Sequence, residues 1–531
     1  MTSFNEASMK NPYYCFVAVF LALVIWAEKT ACGQTVLVEC EAFDSYGGWF
    51  NDSQFMDLMG SPFLLAHGMG TLVADAKTTV TFPEPGEYRI WARTRDWVAP
   101  WKVEGSPGKF QILINGQPLD ATFGTEGEDW HWQDGGTVAV GKVAEIALHD
   151  LTGFDGRCDA LIFSRDSEFV PPSDLKGIQA IRNRQLGVLD SEIVPEQFDV
   201  VVIGGGFAGT AAAITAARKG LSVALVQDRP VLGGNGSSEV RVWPEGHVNL
   251  APFYRVGDVV MEMMPDRRAD SKNAQGPEVF DDQRKMMLAQ AEPNLKLFLN
   301  FRMNHCDVAN AKIQSVRCQN TRSGKRIELT ANTFVDCTGD GTLGFLAGAD
   351  FEQTPTGHMG ASNLWNIQCL CEEDDLLEAE VDQLCEEAAF PRCPWAVDFH
   401  DKPFPGRTDG PQTVSPDNQG TPISLGNWFW ESGFDLDPIA DMERIRDQNF
   451  RAAYGAWDTI KNVEKRYPAH RLNWVAYVAG KRESRRLMGD VVLSADDFRT
   501  GREWVDGCFP MHVGDRYAFA ASRLLGRSQG G

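Results

Sequence analysis

The 531-residue chain is short of positive charge, with 50 Lys and Arg against 73 Asp and Glu, a net charge of −23. No basic run compensates for this anywhere along it. Neutralising a phosphate backbone takes clustered Lys and Arg, so nucleic acid is excluded as a partner. Low-complexity tracts are also missing, and 43% hydrophobic with 23% charged residues is a globular balance with room for two or three domains. His358, His400 and His470 are scattered, without the spacing of metal ligands. Cys369, Cys371, Cys385 and Cys393 follow a C-x-C-x13-C-x7-C pattern that matches neither a zinc finger nor a ferredoxin run. The apolar run Tyr13 to Ala27 has 15 residues, fewer than the about 20 of a comfortable membrane span. Small residues follow at Ala31 and Gly33, the positions a signal peptidase reads. Residues 1–33 are therefore expected to be a secretory signal peptide, and the protein periplasmic or extracellular, with an uncleaved anchor as the alternative. No Arg-Arg pair precedes the run, so the twin-arginine route is not indicated.

What is present centres on Phe198 to Gly236, FDVVVIGGGFAGTAAAITAARKGLSVALVQDRPVLGGNG. An apolar strand, Val200 to Ile203, ends abruptly in glycine. Gly204, Gly206 and Gly209 give the G-x-G-x-x-G spacing, a small-residue helix runs from about Thr210 to Lys219, and a second strand spans Val223 to Val226. The first glycine permits the tight turn, the second admits a pyrophosphate to the backbone, and the third lets helix and strand pack closely. The helix N-terminus favours an anion. A dinucleotide site is the reading that explains strand, turn, helix and second strand together. Gly233, Gly234 and Asn235 follow the second strand, as is usual for FAD, and Thr333 to Asp340 (TFVDCTGD) runs a strand straight into Thr338-Gly339-Asp340.

From residue 34 to about 166 the pattern is all-β. Short alternating runs (VLVECEAF, TTVTFP, EYRIWART, KFQILING, AEIALHDL) are separated by turn signals such as Pro85-Gly86 and Asn115-Gly116. About eight such strands predict a sandwich of jelly-roll type. Trp49, Trp97, Trp101, Trp130 and Trp132 are dense here. They are read either as stacking platforms for sugar rings, giving polysaccharide binding, or as core. Cys40 and Cys158 fall in the first and last strands, as a disulfide or as two buried thiols.

The second half resembles the FAD-dependent oxidoreductase family that includes the flavin subunits related to heterodisulfide reductase. The resemblance is carried by VVVIGGG, LGGNGSSEVRV and FVDCTGDG. The first half resembles carbohydrate-binding modules of families 6 and 35, in Val-Glu-Cys-Glu-Ala-Phe and Arg-Cys-Asp-Ala-Leu-Ile-Phe. Together they imply a multidomain protein, an all-β jelly roll followed by an α/β Rossmann-like FAD domain with an inserted substrate region. The expected division is 34–166 sandwich, 167–196 linker, 197–350 FAD-binding domain, 351–475 substrate-side insertion and 476–531 return segment. The resemblance implies FAD held by Gly204, Gly206, Gly209, Gln227, Gly233, Gly234, Asn235, Thr338, Gly339 and Asp340. Gln227 stands where the family has a ribose-binding Glu. It implies a structural Ca²⁺ on Glu39, Glu41 and Asp159. Some relatives carry an iron–sulfur cluster, whose cysteines are not visible here.

Arg241 is a candidate for stabilising reduced flavin, or else an ion-pair partner of Glu239. Arg482, Glu483 and Arg485 are candidates for an anionic-substrate or flavin-side site, or else a solvated strand end. Relatives are sometimes labelled xanthan lyases, and the sugar-binding-like module suggests a saccharide or its derivative as substrate. Hydride or electron transfer through flavin is the expected chemistry, and a glycan-binding protein with a decayed flavin domain is the rival. After Cys508-Phe509-Pro510 the family's closing strand and helix are not recognisable in the tail.

Overall fold

The computed structural model describes residues 35–186, 193–244, 249, 254–265, 277–370, 378–404, 430–489, 491–492 and 494–500. The signal peptide, Cys371 and the tail from residue 501 lie outside the described residues.

The N-terminal half is built from short strands, because turn residues interrupt each apolar run before a helix can propagate. They are β1 (Thr35–Glu39), β2 (Phe50–Asp52), β3 (Phe63–Ala66), β4 (Ala76–Thr81), β5 (Gly86–Thr94), β6 (Phe110–Ile114), β7 (Gln117–Pro118), β8 (His131–Val140), β9 (Val143–Asp150), β10 (Gly156–Cys158) and β11 (Ala160–Ser164). Two antiparallel sheets, β1-β11-β5-β8 and β4-β9-β6-β7, face each other across one core. Ile90, Phe163, Phe110 and Ile146 are among its members. A third sheet, β10-β3-β2, lies beside them, which departs from a simple two-sheet jelly roll. The first and last strands pair in register, Val38 opposite Leu161. Cys40 and Cys158 are buried free thiols with Sγ atoms 3.5 Å apart. A short helix, α1 (Met56–Met59), follows β2. The expected linker carries α2 (Leu175–Leu186).

The second half opens on a mixed six-stranded sheet, ordered β14-β13-β12-β17-β16-β15. Its strands are β12 (Glu196–Ile203), β13 (Val223–Gln227), β14 (Leu295–Leu299), β15 (Phe301–Ala309), β16 (Lys312–Asn320) and β17 (Arg326–Asp336). The first four in that order pair in parallel, and β17-β16-β15 are antiparallel. Leu295–Leu299 is thus a parallel strand of this sheet, paired with β13. Helix α3 (Phe207–Arg218) crosses from β12 to β13 and buries Ala213, Ile214 and Ala217. Next come α4 (Asp258–Met263), α5 (Asp282–Gln290) and α6 (Thr342–Leu346). Strand β17 meets β16 only over Arg326–Thr330. Among the described residues no strand covers the outer edge of its second half, where Thr333 is exposed.

The inserted region is more ordered than its irregular sequence suggests. It holds two small strand pairs, β19 (Ala361–Asn363) with β21 (Trp430–Ser432) and β20 (Trp365–Cys369) with β22 (His470–Val475), and its β18 (Phe351–Glu352) pairs with β23 (Arg486–Leu487) of the return segment. It also holds α7 (Glu378–Glu387) and α8 (Met442–Asp458), while α9 (Ala495–Thr500) lies beyond it. Helix α8 is buried along nearly its whole length, charged residues included. The partners of Glu443, Arg446 and Asp447 come from the sandwich. Arg157 binds Glu443 at 2.7 Å and Asp447 at 3.1 Å, Arg95 binds Glu443 at 3.1 Å, and Arg446 pairs with Asp52. Burial alone would raise the Glu443 pKa, but the guanidiniums of Arg95, Arg157 and Arg446 outweigh it and hold it at about 2. Each charge is desolvated but paired, the condition under which buried ions are tolerated.

An apolar cluster continues the same interface, joining Trp97, Val98 and Phe154 to Trp365, Trp395, Phe450, Tyr454 and Trp457. Of the two readings of these tryptophans, Trp97 takes the core one. Trp97 is 0% exposed and donates through Nε1 to the Phe154 carbonyl. Trp130 packs on Phe63 and donates to Glu443 at 3.0 Å, and the Trp101 ring lies under Arg451.

Candidate cofactor site

The strand-turn-helix unit forms as its glycines require. Gly204 has φ +102°, and a Cβ there would lie 2.2 Å from the Cys337 carbonyl oxygen. A Cβ at Gly209 would lie 1.8 Å from the Gly204 oxygen, which is the close helix–strand approach expected of the third glycine. At Gly206 a Cβ would meet only Gly234 Cα, at 4.0 Å, so it would point into open space. That space is a cavity of about 680 Å³, lined by Gly204 to Ala208, Gln227 to Arg229, Gly233 to Gly236, Arg302 and Thr338 to Asp340, among others. Gly206 is the N-cap of α3 and offers no side chain to the helix N-terminus. The first backbone N–H groups of that helix therefore remain for an anion.

The matches extend over the second half of the chain. The sequence profile of the family described as FAD dependent oxidoreductase matches residues 199–509. The chain belongs to the FAD-dependent oxidoreductase family. Among curated relatives, glycerol-3-phosphate dehydrogenase 2 of Mycobacterium bovis is 42% identical over 67 residues, 13% of this chain and 12% of the relative. NADH:acrylate oxidoreductase of Vibrio harveyi is 28% identical over 158 residues, 28% of this chain and 14% of that protein. The chain thus aligns with only a small part of these relatives' length. A solved 3-ketosteroid dehydrogenase from Rhodococcus jostii is 12% identical with a TM-score of 0.25, covering 37% of this chain and 65% of that one.

FAD is the family's cofactor, and the cavity fits it. A glycine turn keeps the backbone open to the pyrophosphate, an uncapped helix end faces it, and 680 Å³ lies within the range of cofactor pockets. Of the cofactor residues expected from sequence, all but Gly209 line the cavity, and Gly209 acts behind it by packing. Gln227 is differently employed than expected. Its Oε1 accepts from the Gly205 N–H at 2.8 Å and its Nε2 donates to the Val231 carbonyl at 3.2 Å, so one amide atom braces the glycine turn and the other the segment leading into Gly233. Asp340 pairs with Lys481 at 2.6 Å. Lys481, Arg302, Trp243 and Cys337 also line the cavity, and of these only Cys337 lies within a motif the sequence displayed. The Cys337 position beside Thr338 was the one available hint.

The four catalytic candidates are separated by the fold. Arg482 lines the cavity. Arg241 does not reach the expected place. Its guanidinium lies 3.9 Å over the Trp474 ring, its Nε donates to the Ser238 carbonyl, and burial lowers its pKa to about 10. The alternative pairing with Glu239 is absent as well, because Glu239 binds Arg229 at 3.1 Å. Glu483 is occupied by Thr354, the Met359 N–H and Arg486. Arg485 donates to the Asp340 carbonyl and stacks 4.0 Å over Phe345, facing a second cavity of about 720 Å³ on the other side of the Thr338–Thr342 turn.

Burial raises the Glu239 carboxyl to about 7, and the neighbouring Arg229 only partly opposes this. Tyr477 touches the same carboxylate at 3.4 Å.

Glu39, Glu41 and Asp159 come together, with one ligand atom from each within 4.8 Å of the others. The donor set nonetheless does not suit Ca²⁺. Arg182, on α2, binds Glu39 at 2.7 Å and Asp159 at 2.9 Å, and Arg93 binds Asp159 at 2.6 Å. Two guanidiniums already supply the positive charge, and burial together with the Glu39 and Asp159 charges pushes Glu41 well up, towards its neutral form. Among the described residues this is the one such cluster, and Cys369, Cys385 and Cys393 form none.

Proposed function

We propose that the protein is an oxidoreductase that passes hydride or electrons between a small-molecule substrate and an acceptor through FAD. The observation that carries this is the cavity at the Gly204-Gly206-Gly209 turn, walled on its far side by Thr338-Gly339-Asp340. When bound, FAD supplies the two-electron chemistry. The chain's own residues bind and orient it. The helix α3 N-terminus and the Gly233–Gly236 loop would hold the pyrophosphate, while Lys481 and Arg482 place positive charge in the wall. The decisive measurement is the absorption spectrum of the purified protein, wild type against Gly206→Val. Flavin bands are expected in the first and not the second, since a valine side chain would enter the space left open at Gly206. Stoichiometric flavin in Gly206→Val would remove the turn as the cofactor site.

The finer reading is an exported enzyme acting on a saccharide or its derivative. It is supported by the likeness of the first half to carbohydrate-binding modules and by the leader-like residues 1–33. Anaerobic bleaching of the flavin by one of a panel of sugars, alditols and uronic acids supports it, and bleaching by none of them overturns it. The rival is a glycan-binding protein with a decayed flavin site, and it would show no flavin bands in the wild-type spectrum.

A further inference from the structure

The sandwich reaches the cofactor cavity itself. Between β2 and the end of α1 the chain leaves the sandwich core and lies against the flavin sheet. Asn51 Nδ2 donates to the Thr321 carbonyl at 2.8 Å, and Ser53 Oγ donates to the Asp228 carbonyl at 3.4 Å. The Asp57 carboxylate accepts two bonds from Arg302, at 2.6 and 3.2 Å. Gln54 Nε2 donates to the Tyr477 carbonyl at 3.0 Å, and Gln54 Oε1 accepts from the Ala479 N–H at 2.9 Å. Gln54, Asp228, Arg302 and Ala479 all line the cavity.

These contacts converge on one position. With both amide atoms of Gln227 engaged by backbone groups, the acidic residue that lines the cavity at the carboxyl end of β13 is Asp228. A dinucleotide-binding unit places the acceptor for ribose hydroxyls at this end of the second strand. The Asp228 carboxylate is held by Arg302 at 2.9 Å, and Arg302 in turn is held from the sandwich side by Asp57. A guanidinium offers a rigid planar fork that can span two carboxylates. The main-chain oxygen of Asp228 is held by Ser53, so the sandwich fixes that residue at both ends.

We infer that the N-terminal sandwich is a working part of the cofactor site: Asp57, acting through Arg302, positions Asp228 to accept from the ribose hydroxyls of the dinucleotide, and Gln54 forms a piece of the cavity wall. This inference rests on the FAD reading above. Asp57 is a positioning residue, and its effect must pass through Arg302.

The test is the dissociation constant for FAD, read from flavin fluorescence as the deflavinated full chain is titrated with FAD. Asp57→Asn is expected to raise it about tenfold, the size of one lost charge-assisted hydrogen bond. Asp57→Glu is expected to recover most of that loss, a rescue that a general packing defect would not show. In an Arg302→Met background, adding Asp57→Asn should change the constant by no more than about twofold. If Asp57→Asn fails to fold, Arg302→Lys takes its place, keeping the positive charge but losing the fork, with the same loss expected. An Asp57→Asn or Arg302→Lys protein that is folded and binds FAD as the wild type does overturns the inference, as does full additivity in the double variant. Wild-type protein that takes up no FAD overturns this inference and the reading beneath it. Wild-type binding with an unchanged Asp57→Asn overturns this inference alone.

Discussion

Single residues here take their roles from burial more than from type. Glu239 lies between Arg229 and Tyr477, and burial raises its pKa from 4.5 to about 7. An acid with a raised native pKa binds its proton more tightly when folded. The unfolded chain releases that proton near pH 4.5, the folded one near 7. Stability contributed by neutral Glu239 is therefore complete below about pH 4.5 and is lost as pH rises towards 7. Melting temperatures measured from pH 4.5 to 8 should show this decline, and Glu239→Gln, which cannot ionise, should flatten it. Trp97 gives a second case. Its ring, read from sequence as either sugar platform or core, is enclosed by Trp395 and Phe450 in edge-on contacts. Trp97→Ala should therefore destabilise the whole protein, by about 3–5 kcal/mol, the cost of deleting a large buried aromatic. Urea denaturation reads that loss, and a change within 1 kcal/mol would contradict the burial.

At the scale of elements, helix α2 shows how a linker becomes structural. Its Arg182 enters the carboxylate cluster at the edge of the sandwich and binds both Glu39 and Asp159. A cation is required there because three carboxylates share one buried site, and the chain supplies guanidinium. A chelator such as EDTA should leave the melting temperature unchanged, while Arg182→Ala should lower it clearly, because it leaves Glu39 and Asp159 short of a partner. A chelator-induced drop reversed by calcium would show that an ion shares the site. Helix α8 makes the complementary point. Its sequence, MERIRDQNFRAAYGAWD, carries six charged residues, most of them buried. Glu443, Arg446 and Asp447 are buried because Asp52, Arg95 and Arg157 of the sandwich pair with them, and those partners lie some 290 to 390 positions away in sequence.

On the scale of the whole molecule, sandwich, insertion and flavin sheet behave as parts of one body. The interface holds an apolar cluster, from Trp97 and Phe154 to Trp457, beside an ion-pair network. Residues 35–166 expressed alone would uncover that apolar face and leave Asp52, Asp155 and Arg157 without partners from α8. The fragment should bind a hydrophobic dye, and it should aggregate or unfold at a lower temperature than the full chain. A monodisperse fragment as stable as the full chain would show that the interface adds nothing.

How much of this was legible beforehand follows from the range of the interactions. The G-x-G-x-x-G turn, its flanking strands and the Thr338-Gly339-Asp340 turn were readable because each is fixed by local geometry. A positive φ at Gly204 and a 1.8 Å approach at Gly209 admit little but glycine, so the residue type announces the conformation. The alternating strands of the sandwich were readable for the same reason, since a half-buried strand repeats every two residues. The roles of Gln227, Arg241, Arg302 and the tryptophans were not. Gln227 turns inward to brace Gly205, Arg241 settles on Trp474, and Arg302 joins Asp57 to Asp228, contacts made across long stretches of chain. By itself the sequence determined the dinucleotide-binding unit and the β-rich first half, because backbone sterics and hydrophobic periodicity act within a few residues. Only the tertiary structure decided which charged and aromatic side chains face the cofactor and which hold the domains together. An ionic or ring contact depends on which distant partner the fold delivers, and that partner leaves no mark in the neighbouring sequence.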